Sequence, residues 1–192
     1  MGYNTDFWGS LKFNKPVEDW LVDYIDNFSG TRRMRRDPKK IEKVFPDWKS
    51  KCFNGDLGVD GGYFIGGVGF YGQDCDESVL SVNTPPVGQP GLWCQWIIEN
   101  GELVWDGGEK FYNYVEWLEY LIKHFFAPLG YVLNGVIGFQ GESYDDRGNI
   151  EVTDNRVFID WHYEQSSKRP TNCLNCGAPL TSYKCKYCGT EY

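Results

Sequence analysis

The apolar positions along the chain fall into short runs whose spacing predicts alternating strands and helices. Thr5–Phe13, with Phe7, Trp8, Leu11 and Phe13, reads as a strand. Pro16 opens an amphipathic helix with Val17, Trp20, Leu21, Tyr24, Ile25 and Phe28 at three- and four-residue intervals, and Gly30 ends it. A short helix follows Asp37-Pro38 and buries Ile41, Val44 and Phe45. Between Gly55 and Gly91 the chain is rich in Gly, Asp and Pro, so it predicts turns, with Tyr63–Ile65 and Val79–Val82 as extended pieces. Leu92–Glu99 and Glu102–Trp105 flank Asn100-Gly101, which predicts an antiparallel hairpin. A long helix is expected over Glu109–Phe126, with Phe111, Tyr114, Val115, Leu118, Leu121, Ile122 and Phe125 on one stripe. Strands then follow near Tyr131–Gln140, Asn149–Val152 and Arg156–Tyr163, the last two joined at Asp154-Asn155. The class is α+β, a mostly antiparallel sheet with helices packed on one face.

The main domain is expected over residues 1–165, a polar linker with Pro170 over 166–171, and a small appendage over 172–192. Aromatic residues make up 17% of the 192, enough to build a packed core and to exclude a disordered chain. No apolar run is long enough to span a bilayer, and Met1–Trp8 resembles neither a signal peptide nor a myristoylation site, so cytoplasmic location without membrane contact is expected. The net charge is −8, with the stretch from Lys168 onward at +3, the remainder at −11, and a basic island from Arg32 to Lys43. An acidic chain is a poor nonspecific nucleic-acid binder, although a local patch can still act.

The appendage carries the sharpest motif. Cys173-Leu-Asn-Cys176 and Cys185-Lys-Tyr-Cys188 are two Cys-x-x-Cys knuckles eight residues apart, and each ends on a glycine, Gly177 or Gly189. Two such knuckles supply four thiolates in a tetrahedron, so the predicted cofactor is one structural Zn2+ ligated by Cys173, Cys176, Cys185 and Cys188. Four cysteines leave no open coordination position, so the metal would shape a surface and take no part in chemistry. Two disulfides or a redox pair are the competing readings; a reducing cytoplasm and the lack of a βαβ pattern speak against them. The isolated Cys52, Cys75 and Cys94 read as buried apolar residues.

Elsewhere the catalytic signals are weak. Gly67-Val-Gly69-Phe-Tyr-Gly72 matches a phosphate-binding pattern, but no helix is predicted to follow it, so these glycines read as turns or bulges. His124 and His162 have no nucleophile beside them in sequence and read as structural. Acidic clusters at Asp74, Asp76 and Glu77 and at Glu142, Asp145 and Asp146 are expected to be solvated, with a metal-dependent enzyme on the second cluster as a further alternative. No catalytic residue is assigned.

Two features suggest binding. Tyr112, Trp117, Tyr120 and His124 fall outside the core stripe of the long helix; either the Gly-rich segment covers them, the preferred reading, or they form an exposed patch for a partner. The island with Arg32, Arg33, Arg35 and Arg36 either solvates the surface or binds nucleic acid, a nucleotide or an acidic partner.

Several stretches together resemble a family of small, uncharacterised bacteriophage and prophage proteins: Met1-Gly-Tyr-Asn-Thr-Asp-Phe, Thr31-Arg-Arg-Met-Arg-Arg-Asp-Pro, Gln89-Pro-Gly-Leu-Trp-Cys-Gln-Trp, Trp105-Asp-Gly-Gly-Glu-Lys-Phe-Tyr-Asn-Tyr-Val-Glu-Trp and Tyr131-Val-Leu-Asn-Gly. The resemblance covers most of residues 1–160 and implies an accessory protein in the cytoplasm of an infected bacterial cell. Members of that family end near the last strand, so the tail, which is similar to zinc ribbons appended to many bacterial proteins, is an added contact. The expected function is noncatalytic binding and modulation of a host protein, with antiviral defence as the target process.

Overall fold

The computed structural model describes residues 2–161, 175–176 and 186–190. Its centre is a six-stranded sheet in the order β4-β5-β1-β6-β7-β8, with every neighbouring pair antiparallel. The strands are β1 (Thr5–Phe13), β4 (Trp96–Glu99), β5 (Glu102–Trp105), β6 (Leu133–Gly141), β7 (Arg147–Thr153) and β8 (Arg156–Trp161). β1 lies in the middle, paired with β6 along its whole length from Thr5↔Gly141 to Phe13↔Leu133. Both predicted two-residue turns form, and Asn100, Gly101, Asp154 and Asn155 all take the positive φ that such hairpins require. α+β is therefore the observed class.

One face of the sheet is the core. Phe7, Leu11, Leu103, Leu133, Ile137, Phe139, Ile150 and Val152 point into it, and their strand neighbours point away. Phe7 alone meets the rings of Trp96, Trp105, Phe111 and Tyr114 edge to face, with centroids 4.8–5.8 Å apart. Against this face pack α1 (Asp19–Gly30), through Leu21, Ile25 and Phe28, and α3 (Tyr114–Leu121), through Leu118 and Leu121.

The helices are covered on their far side as well. The irregular chain from Phe45 to Gln95 lies over them, anchored by hydrogen bonds from Tyr24 Oη to Tyr63 O and from Thr31 Oγ1 to Ile65 O. Just before it comes α2 (Pro38–Val44), capped by Asp37 accepting from the Lys39 N–H, and β2 (Arg35–Arg36), which pairs with β3 (Val79–Ser81) of this segment in a two-stranded ribbon. The result is three layers: sheet, helices and a glycine-rich cover.

Several expected boundaries move. Tyr63–Ile65 is not a strand; its backbone is tied to Leu57, Gly61 and Lys51 in turns. β4 begins at Trp96 instead of Leu92, and α1 begins at Asp19, three residues after Pro16. The long helix starts at Tyr114, because Lys110 and Asn113 are left-handed at φ 60° and 55°, and then continues as a π-turn over Ile122–Phe126. Pro128 lacks the N–H that would bond the carbonyl of His124, and the helix loosens just where that donor is missing. The linker 166–171, Tyr163 and His162 lie outside the described residues.

Candidate functional site

The basic island divides by direction. Arg33 is 2% exposed; its Nη2 donates to Gly62 O and Phe64 O at 2.9 Å, its Nε to Gln89 Oε1 at 3.4 Å, and its guanidinium lies 4.0 Å above the Phe28 ring. None of these partners is a carboxylate, and burial pulls the Arg33 pKa down to about 10, so it stays charged at neutral pH. Arg36, also 2% exposed, bonds Asp76 Oδ2 at 2.6 Å and Ser78 Oγ at 2.7 Å. Arg35 faces outward but pairs with Asp60 at 2.9 Å. Arg32 remains at the surface, donating to Val82 O and Asn83 Oδ1 at 3.1 Å. The expected four-arginine surface is thus corrected: Arg33 ties the cover to α1, bonding two of its carbonyls while lying on Phe28, and Arg36 joins parts of the cover to one another through Asp76 and Ser78.

For Trp117 and Tyr120 on α3 the preferred reading, burial under the glycine-rich segment, is the observed one, and the alternative of an exposed patch there is corrected. Trp117 is fully buried and Tyr120 is 8% exposed, so neither can anchor a partner; the glycine-rich segment covers them, with Gly91 lying against the Trp117 indole nitrogen. Gln89 links the layers, its Nε2 donating to Gly62 O and, at 3.1 Å, to Tyr120 Oη. His124 stacks on Tyr120 with centroids 4.3 Å apart, and its Nδ1 lies 2.8 Å from the Tyr63 hydroxyl. Burial first, then the nearby Lys123 charge, lowers the His124 pKa, and burial raises that of Tyr120 to about 12. A cleft of about 530 Å3 opens above Gln89, Tyr120 and His124, rimmed by Glu116, Glu119 and Lys123. On its floor Gln89 and Tyr120 are bonded to each other and His124 to Tyr63, which suits a rigid surface better than proton transfer.

An exposed aromatic patch exists elsewhere. Phe70 is 76% exposed, Tyr71 53% and Tyr112 52%, and the half-buried Trp93 lies between them. Phe70 and Tyr71 rings are 3.9 Å apart, Tyr71 meets Trp93 edge-on at 6.3 Å, and the Arg32 guanidinium stands 5.9 Å from the Trp93 ring. Arg32, Trp93, Lys110 and Tyr112 then line a second cleft of about 410 Å3 whose wall is mostly apolar. Tyr71 holds a left-handed backbone at φ 56°, a conformation costing roughly 1 kcal/mol for a bulky residue. The turn is made by Gly67, Gly69 and Gly72, so the glycine pattern builds a display loop with no following helix, as expected. The sequence signal for this ridge is the Phe70-Tyr71 pair set between Gly69 and Gly72.

The remaining candidates are dispersed. Asp76 is engaged by Arg36. Glu142 accepts from the Asn4 N–H and Asp146 from the Tyr3 hydroxyl, which pins the chain start to the β6–β7 loop, while Asp145 is exposed. Among the described residues no three His, Cys, Asp or Glu side chains are placed to hold a metal. Cys52 and Cys94 are buried as expected, whereas Cys75 is exposed. Of the zinc-motif cysteines, Cys173 and Cys185 lie outside the described residues. Cys176 and Cys188 are exposed in turns, and Asn175 Nδ2 donates to Thr190 Oγ1 at 3.3 Å. No helix among the described residues is long and apolar enough to cross a membrane. No protein-family model, curated protein or solved structure matches the chain.

Proposed function

We propose that the chain is a noncatalytic phage protein that binds and modulates a host protein in the cytoplasm of the infected cell, antiviral defence being the process acted on. The ridge of Phe70, Tyr71, Trp93 and Tyr112 beside Arg32 is its contact surface. The observation carrying this reading is the ridge itself: large aromatics held in solvent on a strained turn next to an arginine have the composition of interface anchors. The partner it fits presents an apolar patch with a carboxylate nearby for Arg32. Cys173, Cys176, Cys185 and Cys188 would hold one structural Zn2+, and the ribbon would add a second, basic contact.

The test is affinity capture from host lysate with the native chain and with Phe70→Ser and Trp93→Ser, each checked for an unchanged melting temperature. A host protein retained by the native chain and lost from both variants, with nuclease added throughout, is the expected result. Equal retention by all three, or capture that nuclease abolishes, overturns the reading; the latter outcome returns nucleic acid as the partner.

A further inference from the structure

The cleft beside the ridge has under its floor a donor that nothing in the fold uses. The Trp117 indole is fully buried, and its Nε1 has no hydrogen-bond partner. Leaving a buried N–H unpaired is costly, so such groups are rare in folded chains. This one lies against Gly91, a residue of the cleft's floor. Apart from the chain neighbours of Gly91, a Cβ built on that residue would meet only Trp117 Nε1 and Asn113 Nδ2, each at 3.6 Å, with nothing else inside 4 Å. The floor therefore has a recess at which two nitrogens, and no oxygen from elsewhere in the fold, converge.

The walls narrow down which acceptor fits. At about 410 Å3 the cleft is within the usual size of small-ligand sites, roughly 300–1,000 Å3. Leu92, Trp93 and Tyr112 make it mostly apolar, and its charged side chains are Arg32 and Lys110 against Glu109. That is a positive balance on a chain whose net charge is −8, so the cleft favours an anion. Arg32 spends Nε and Nη2 on Val82 O and Asn83 Oδ1, which leaves Nη1 for a ligand. Tyr112 Oη accepts from the Tyr3 N–H, which leaves its own proton to donate.

Given the ridge as contact surface, on which this inference rests, we propose that the cleft takes the C-terminal residue of the host polypeptide. The carboxylate enters the Gly91 recess on the Arg32 side, and an apolar side chain lies against Trp93 and Tyr112. A chain end carries both groups on one Cα and leaves the cleft as a single strand of backbone. An internal Asp or Glu would bring backbone in and out, with N–H groups that need acceptors where the recess supplies donors. A phosphate monoester carries about two charges and calls for more cations than this wall holds.

Titration of the purified, zinc-supplemented chain with acetylated pentapeptides ending in Leu, Phe or Trp, each as free acid and as C-terminal amide, tests this without any host protein. The readout is the indole N–H signals of Trp117 and Trp93 in isotope-labelled protein by NMR. At least one free acid is expected to move both signals with a dissociation constant of about 1 mM or tighter, and its amide to bind about tenfold more weakly. Gly91→Ala puts a methyl group in the recess at ordinary contact distances, so the melting temperature should hold while the acid binds about tenfold more weakly. Arg32→Gln should narrow the gap between acid and amide. Acids and amides that bind alike, no shift up to about 5 mM, or native affinity in Gly91→Ala overturns the proposal, and the Trp117 N–H is then met by water. Oligothymidylate that moves the same signals at lower concentration than every peptide overturns it too, and gives the cleft to nucleic acid. Host capture that is lost in Phe70→Ser while no free acid binds keeps the ridge and removes the chain end from it; acid binding without any host capture keeps the cleft and removes the host protein.

Discussion

The buried pair between Arg36 and Asp76 is what holds the loop 74–78 under the glycine turn, and its removal has a calculable cost. The two side chains are 3% and 6% exposed, with Nη1 and Oδ2 2.6 Å apart. Asp76 Oδ1 also accepts from the Ser78 N–H at 2.8 Å and from the Ser78 hydroxyl. Asp76→Asn keeps the shape and the Ser78 contact but leaves a guanidinium buried without its counter-charge, which costs roughly 3 kcal/mol or more. At ~2–4 °C per kcal/mol for a domain of this size, the melting temperature should fall by about 6–12 °C. Arg36→Met combined with Asp76→Asn removes the stranded charge, so the double variant should be more stable than the sum of the single losses by at least ~1 kcal/mol. Desolvation raises the Asp76 pKa, but hydrogen bonds from Ser78 and Arg36 outweigh it and hold the carboxyl below its usual range. A folded pKa below the unfolded one means stability that is present above the ordinary carboxylate range and lost as pH falls through the folded value. The Asn variant should therefore lose less stability on acidification than the parent. Thermal and urea denaturation followed by circular dichroism measure all of this. A single variant within ~1 kcal/mol of the parent at neutral pH, or strictly additive losses, would refute the reasoning.

Three further outcomes follow from other parts of the molecule. His124 is held below its ordinary pKa by burial, so the unfolded chain takes up its proton first, and stability should decline as pH falls below about 6.5; His124→Gln should flatten that segment of the stability curve, and an identical profile counts against the buried neutral imidazole. Tyr71→Asn suits the left-handed backbone and should raise stability by up to about 1 kcal/mol while weakening capture of the host partner; a loss of stability instead would mean that the ring contributes more by packing than the turn costs. Purified chain should contain one zinc per molecule by elemental analysis, and Cys188→Ser should lose it; metal-free native protein would remove the ribbon from the account.

Much of the fold was legible because its signals are local. The apolar alternation of β1, the stripe Leu21, Ile25 and Phe28, and the turns at Asn100-Gly101 and Asp154-Asn155 each depend on neighbours within a few residues. Class α+β and the antiparallel pairing of adjacent strands follow from them. The central place of β1 between β5 and β6 does not, since nothing in nine residues says which distant partners they will meet. The site was harder still. Arg33 and Arg32 are chemically identical and adjacent in the chain, yet one is buried on Phe28 and the other stands at the surface beside Trp93. Trp117 and Trp93 are similarly indistinguishable until the glycine-rich cover is laid over α3.

What the chain specified by itself was the set of pieces and one cysteine pattern, because propensity, periodicity and ligand spacing act over short distances. Which aromatics and which arginines reach solvent was decided only when the third layer closed over the helices, because burial is a property of everything that packs against a residue and of nothing in its own sequence neighbourhood.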